Sequence, residues 1–134
     1  MNVLVDTSLW SLALRKRPKT VEENRLVSEL TELIGEMRVV MIGPIRQELL
    51  SGISDEKAFE SLKEKLRAFD DQELKTEHFE LAAAFSNTCR RAGVQGFHTD
   101  FLICAFSALD NCEIFTLDKD FDFYAKHVKI NLYH

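Results

Sequence analysis

The chain has 134 residues and a mass of 15.4 kDa; 46% of its residues are hydrophobic and 29% are charged. This length suffices for a sizeable hydrophobic core, so we expect one domain over residues 1–134 that needs neither disulfides nor a structural metal. No apolar run approaches the ~20 residues of a membrane-spanning helix, and the first residues, MNVLVD, lack the pattern of a signal peptide. We therefore expect a cytoplasmic protein without a membrane segment.

The three cysteines, Cys89, Cys104 and Cys112, are odd in number and show no CxxC spacing. This pattern argues against a disulfide framework and against a structural zinc site, so we expect reduced and mostly buried thiols.

The net charge is −5 and the pI is about 5.4, a balance that lowers the expectation of nucleic-acid binding. Acids gathered in one metal pocket would bias this total, however, and local basic patches remain available. These patches are Arg15-Lys16-Arg17, Arg46 and Arg90-Arg91. Net charge alone therefore does not decide whether the chain binds nucleic acid.

The chain opens with an apolar strand followed by an acid. Residues 3–5, VLV, form a compact run typical of a strand buried on both faces of a parallel sheet, and Asp6 ends it. Because the carboxyl ends of such strands border the ligand crevice, Asp6 is well placed for chemistry; a role as helix N-cap is the alternative. Thr7 and Ser8 then begin a helix in which Trp10 is expected to be a packing anchor.

The middle of the chain alternates helices with strands. Thr20 and Glu23 form a capping box at the start of one helix, and residues 38–42 form a β-branched strand closed by Gly43-Pro44. Glu48 lies one turn into the short helix that follows. Because its neighbours Leu49 and Leu50 are apolar, Glu48 faces inward if other acids share its site, and an exposed position is the alternative.

The next segments predict helices and an edge strand with a role in packing. Ser54 is suited to cap a helix whose apolar residues recur at helical spacing, and residues 69–75 contain a poor edge strand. Residues 76–92 form a long helix that ends at Gly93. Arg90 and Arg91 lie in its last turn, where they favour the helix dipole; contact with a phosphate is the alternative.

Residues 99–122 place carboxylates next to apolar segments, where burying a charge opposes folding. Residues 101–109 are nearly all apolar or small and predict a buried helix with Asp100 in its first turn, where an ionised carboxylate is costly without compensation. Residues 113–116 form a short strand, and Asp118, Asp120 and Asp122 follow it. The alternative is that Asp100 is only an N-cap and the DKDFD run a solvated turn. Residues 128–132 predict a last strand.

The alternation of strands and helices predicts a three-layer α/β/α sandwich around a mostly parallel sheet. Four acids fall just after a strand or in the first turns of a helix that follows one, so we expect them to meet at one edge of the sheet. They are Asp6, Glu48, Asp100 and Asp118. Oxygen ligands without neighbouring His or Cys select Mg²⁺ or Mn²⁺, which serve phosphoryl chemistry. Crowding of like charges also predicts a raised pKa for at least one acid, above all Asp100.

Four segments resemble the PIN-domain ribonucleases, and among them the VapC-type toxins of bacterial and archaeal toxin–antitoxin pairs. The segments are VLVDTSLW, PIRQELLSG, TDFLICAFSA and TLDKDFD, and the resemblance extends over essentially the whole chain. It implies that the acids Asp6, Glu48, Asp100 and Asp118 bind the metal. It further implies that Asp120 lies nearby and that the hydroxyls of Thr7 and Thr116 support the site.

The resemblance also implies a five-stranded sheet of order 3-2-1-4-5, a homodimer, Mg²⁺-dependent endonuclease cleavage of RNA, and inhibition by a cognate antitoxin. An antitoxin arginine is suited to meet the acids.

Other function classes remain open at this point. One is a non-catalytic phosphoryl-receiver-like or RNA-binding module, although a receiver usually has an acidic pair closing its first strand, and here Val5 precedes Asp6. A phosphatase with an aspartyl nucleophile would carry DxD where this chain has DTS.

Overall fold

The computed structural model describes all 134 residues and shows four strands and seven helices. The strands and helices alternate, as the sequence predicts. The strands are β1 (Val3–Val5), β2 (Val39–Ile42), β3 (Asp71–Gln72) and β4 (Glu113–Phe115). The helices are α1 (Thr7–Leu14), α2 (Val21–Gly35), α3 (Gly43–Ser51), α4 (Glu56–Leu66), α5 (Thr76–Arg91), α6 (His98–Asp110) and α7 (Asp120–Tyr124).

The four strands form a parallel sheet in the order β3-β2-β1-β4. The α/β sandwich and the order of these strands are therefore confirmed. β1 lies in the middle and is fully buried, which matches its continuous apolar sequence. β3 is a short exposed edge strand, as expected for residues 69–75.

The prediction of a regular fifth strand over residues 128–132 was wrong. Only a single parallel bridge, between Ile114 and Leu132, extends the sheet beyond β4. The reason lies in local hydrogen bonds: the N–H of Val128 donates to the carbonyl of Tyr124, and the N–H of Ile130 donates to that of Val128. These groups are therefore unavailable to a ladder with β4.

Local capping signals place most helix ends correctly. Thr20 and Glu23 form the predicted capping box of α2, and Gly93 adopts φ +82° just after α5, a conformation that glycine adopts without strain. The prediction for α4 was wrong by one residue, because Asp55 rather than Ser54 accepts the hydrogen bond from the N–H of Ala58. Both residue types are good N-caps, so the sequence alone does not separate them.

The core lies between the sheet and its helices. Trp10 is buried and packs edge-to-face on Phe69, which confirms its role as a packing anchor. The three cysteines are unpaired and buried, as predicted. No helix combines the length and the apolar character that crossing a bilayer requires.

The parallel register places the candidate site. β1 and β4 are neighbours with Val5 opposite Phe115, and the N–H of Asp6 donates to the carbonyl of Phe115 at 2.9 Å. Asp6 and Thr116 thus leave the sheet side by side, at its carboxyl edge.

Candidate metal centre

Three carboxylates converge beyond this edge of the sheet. One oxygen from each of Asp100, Asp118 and Asp120 lies within 4.8 Å of the others. Asp100 comes from the first turn of α6, Asp118 from the turn after β4, and Asp120 from the start of α7. The N–H of Asp120 donates to Asp118 Oδ1 at 2.9 Å and so fixes the turn between them. Three oxygen donors without His or Cys match the preference of Mg²⁺ or Mn²⁺.

Asp6 is buried beside this cluster and is held by hydroxyl groups. Its Oδ2 accepts hydrogen bonds from Ser8 Oγ and Thr116 Oγ1, both at 2.8 Å, while Oδ1 accepts none. Thr116 Oγ1 also accepts the N–H of Asp118 at 2.9 Å, which links Asp6 to the cluster. Asp6 occupies the N-cap position of α1, but its side chain caps no amide of that helix. The capping alternative therefore does not account for this carboxylate.

Asp100 is not a cap either. Phe97 is the N-cap of α6, and Asp100 is the third residue of the helix. Tyr124 Oη donates a hydrogen bond to Asp100 Oδ2 at 2.7 Å. Tyr124 is fully buried, with its ring against those of Phe101 and Phe121, so this hydroxyl is fixed in position. α7 is therefore a short helix that carries Tyr124 to the carboxylate, and the alternative of a solvated turn for the DKDFD run does not hold.

A glycine makes room for this tyrosine. A Cβ on Gly96 would overlap Tyr124 Oη and would lie 2.8 Å from Tyr124 Cζ, closer than Cβ atoms come to other groups in proteins. The loop between α5 and α6 consequently passes directly over the hydroxyl that holds Asp100.

The surroundings raise the pKa of Asp100 to about 6. Burial is the main cause, and the charges of Asp6 and Asp118 act in the same direction; the Tyr124 hydroxyl and the backbone N–H of Phe97 oppose it. The expected direction is confirmed, although burial contributes more than crowding. The pKa of Tyr124 is raised as well, by burial and by its bond to Asp100, so it remains a proton donor in that bond.

None of the candidate acids forms an ion pair with a protein cation; all the ion pairs of the chain lie elsewhere. A buried carboxylate without a compensating cation costs several kcal/mol. Beside Asp6, moreover, the buried hydroxyl of Thr7 has no hydrogen-bond partner. The donor set, the missing cation and this free hydroxyl all fit a bound divalent metal ion.

Glu48 is the acid that the structure leaves apart. Its side chain is exposed, while Leu49 beside it is buried and Ile45 and Leu49 supply the inward face of α3. Its carboxylate is not among those that converge. Of the four predicted acids, Asp100 and Asp118 lie in the cluster with Asp120, Asp6 lies beside it, and Glu48 lies outside it. A metal-binding role for these acids stays a prediction.

Sequence reasoning missed three residues of the site: Ser8, Gly96 and Tyr124. Ser8 is two residues after Asp6, a spacing at which serine hydroxyls often turn back on a neighbouring oxygen. Tyr124 lies three residues after Phe121 in a short apolar segment, where a buried tyrosine needs a hydrogen-bond partner. No local signal identifies Gly96, because its role depends on a contact with a residue far along the chain.

Comparisons with known proteins identify the family of the chain. The PIN domain family matches residues 3–127. The chain is 31% identical over 129 residues to Ribonuclease VapC11 of Mycobacterium tuberculosis and to VapC ribonuclease Mb1587 of Mycobacterium bovis, covering 92% of this chain and of each relative.

Solved structures show the same fold. FitAcB from Neisseria gonorrhoeae gives a TM-score of 0.78 at 22% identity, over 98% of this chain and 96% of that one. VapBC2 from Rickettsia felis, bound to a DNA fragment from its promoter, gives 0.79 at 14% identity, over 99% and 98%.

The contact between Gly96 and Tyr124 predicts a cost for adding one methyl group. Gly96→Ala should lower the free energy of unfolding by about 1–3 kcal/mol, because backbone or Tyr124 must shift. Gly52→Ala is the matched control, since a Cβ there meets nothing within 4 Å; it should change stability by less than about 0.5 kcal/mol. Urea unfolding of both variants checks this, and equal effects would show that the Gly96 contact is unimportant.

The raised pKa of Asp100 predicts how stability depends on pH. The folded state takes up the Asp100 proton more readily than the unfolded state, so the wild type loses stability as pH rises from about 4 to about 6. Asp100→Asn removes this titration and keeps the shape of the side chain. In EDTA, the stability of the variant relative to the wild type should therefore increase over that window and level off above it. A difference that does not vary with pH would contradict the assignment.

Proposed function

The chain belongs to the PIN domain family, and on that basis we propose that it is a VapC-type ribonuclease, the toxin of a toxin–antitoxin pair. The single observation that carries this proposal is a set of three converging carboxylates beside the buried Asp6, with no protein cation to neutralise them. The curated relatives, which match over nearly their full length, are named ribonucleases. Hydrolysis of RNA phosphodiester bonds is the activity that this chemistry supports best.

The proposed cofactor is Mg²⁺, with Mn²⁺ as an alternative. Asp100, Asp118 and Asp120 would hold it directly, and Asp6 would complete the set through its free Oδ1. When bound, the ion supplies a water activated for in-line attack and neutralises charge that develops on the phosphate. Glu48 would join only if its side chain turned from solvent toward the cluster.

The remaining residues of the site position these carboxylates. Ser8 and Thr116 hold Asp6 through one oxygen, and Tyr124 holds Asp100 through one oxygen. In Asp6 the other oxygen, Oδ1, is left for a ligand. Thr7 offers a further unpartnered oxygen next to Asp6. Asp120 is exposed, so the cluster is open to solvent on that side and accessible to a polymer substrate.

The proposed protein partner is a cognate antitoxin. The structural neighbours include toxin–antitoxin complexes, VapBC2 from Rickettsia felis and VapBC-1 from nontypeable Haemophilus influenzae. Acids without a protein cation would accept an arginine from such a partner in a bidentate pair, which would displace the metal. From the family resemblance we further propose a cytoplasmic homodimer in which residues 1–134 form one domain.

Substitutions at Asp100 and in the DKDFD run (residues 118–122) test the metal mechanism. Asp118→Asn and Asp100→Asn should each reduce Mg²⁺-dependent RNA cleavage by orders of magnitude and weaken Mn²⁺ binding in calorimetry, because a ligand charge is lost. The matched control is Asp122→Asn, an exposed acid of the same run outside the cluster, which should cleave like the wild type. EDTA should abolish cleavage. A folded Asp100→Asn variant with full activity would overturn the mechanism.

Co-expression tests the partner. Production of this chain alone should arrest growth, and the product of a neighbouring small open reading frame should relieve the arrest and co-purify with the chain. Growth arrest by the Asp118→Asn variant at equal expression would show that toxicity is independent of cleavage. If no neighbouring product binds, a free-standing nuclease becomes the better interpretation.

A further inference from the structure

We infer that Phe97 and Arg90 form a subsite for one unpaired nucleotide of the RNA substrate, with the base on the Phe97 ring and a phosphate at Arg90. This inference rests on the proposed ribonuclease function. It adds the position of one nucleotide of the RNA next to the metal centre.

Phe97 is an exposed aromatic residue beside the acid cluster. It is 76% exposed, the largest exposure of any phenylalanine among the exposed large hydrophobic residues. Phe97 is the N-cap of α6, and its carbonyl accepts the N–H of Phe101, so the backbone under the ring is fixed to this helix. An apolar ring left in water at this place has no role in packing the chain itself.

The other exposed phenylalanines differ from Phe97. Phe79 lies near the start of α5, and Phe123 is 48% exposed with Lys126 Nζ 5.1 Å from its ring centroid. Phe123 already has a cation on its face. Phe97 makes no aromatic or cation–π contact within the chain, so both faces of its ring are free of such partners.

Arg90 supplies a positive charge in a pocket that is also lined by Gly96, the residue before Phe97. Its guanidinium forms no ion pair and no hydrogen bond, unlike those of Arg25 and Arg46, which are bonded to carboxylates. It lines a pocket of about 260 Å³ that contains no acid. The other residues of the pocket are Ser86, Val94, Gln95 and Gly96.

The pocket and the metal centre share a wall. Gly96 lines the pocket and also lies against Tyr124 Oη, which is bonded to Asp100. A single tyrosine hydroxyl therefore separates the pocket wall from a proposed metal ligand, and Phe97 is the next residue along the chain.

This combination matches a nucleotide better than a protein partner. Aromatic rings stack on unpaired bases whatever their sequence, and arginine binds phosphate. A chain with a net charge of −5 and an acidic site repels RNA, so a local cation is needed where the RNA approaches the site. An apolar protein contact would account for Phe97 but would leave the acid-free polar pocket without a ligand.

The test compares Phe97→Ala, Phe97→Trp and Arg90→Gln with the control Phe79→Ala, which removes an exposed ring near the start of α5, eleven residues before Arg90. The probe is an unstructured RNA oligonucleotide that carries 2-aminopurine, assayed alone and as a duplex. Phe97→Ala should raise KM about tenfold for the single strand, with kcat changed by less than about twofold, and Phe97→Trp should restore KM. Mn²⁺ binding should remain unchanged, because neither residue is a proposed ligand.

Two further measurements distinguish the loss of base stacking or of a phosphate contact from a general loss of structure. Binding in EDTA should quench 2-aminopurine fluorescence in the wild type and in Phe79→Ala but not in Phe97→Ala. Arg90→Gln should weaken binding and make it less dependent on salt, by about the slope of one phosphate contact.

The outcomes distinguish this inference from the function on which it rests. Absence of Mg²⁺-dependent cleavage, with quenching that still requires Phe97, would overturn the ribonuclease proposal and support the subsite. Normal cleavage with KM and quenching unaffected in Phe97→Ala would overturn the subsite alone. So would a Phe97→Ala variant that keeps its RNA kinetics but loses dimerisation or antitoxin binding, because Phe97 would then belong to a protein interface.

Discussion

The structure depends on the balance between the buried strand β1 and the carboxylate of Asp6 that follows it. Each fully buried residue of β1 stabilises the fold by roughly 1.5–3 kcal/mol, whereas burying Asp6 directly after them costs several kcal/mol. The apolar strand thus outweighs the acid, and Ser8 and Thr116 reduce the remaining cost by hydrogen bonding one of its oxygens. The other oxygen is left uncompensated in the unliganded protein. A cation bound to this oxygen would offset the cost of burial and raise the free energy of unfolding.

The rest of the site repeats this arrangement with different donors. Asp100 accepts a hydrogen bond from the phenol of Tyr124, and Asp118 accepts one from the N–H of Asp120. Neither these two acids nor Asp6 is paired with a lysine or arginine. Neutral donors orient a carboxylate without neutralising it. The protein therefore fixes the direction of its ligands and keeps their charge available, which is what a metal site that must bind and release its ion requires.

The sequence predicts the framework of this site well, because the framework follows from local patterns. The apolar run before Asp6 and the acids after residue 116 are visible in the chain, and parallel strands bring them to one edge. The residues that escape prediction are those fixed by distant contacts. Tyr124 reaches Asp100 across 24 positions of sequence, and the exposed position of Glu48 depends on how α3 rotates on the core. The fifth strand failed for another reason: its residues have strand-like composition, but their backbone groups bond locally after α7.

The close packing of Gly96 on Tyr124 has a consequence for communication between ligands. The loop that carries Phe97 packs at Gly96 against the hydroxyl that donates to Asp100, so a shift of Tyr124 would affect both. A molecule that orders the loop would thereby order a metal ligand, and an ion that fixes Asp100 would favour the loop conformation that receives the molecule. Such coupling is reciprocal by thermodynamic necessity: whatever factor one ligand adds to the affinity of the second, the second adds to the affinity of the first.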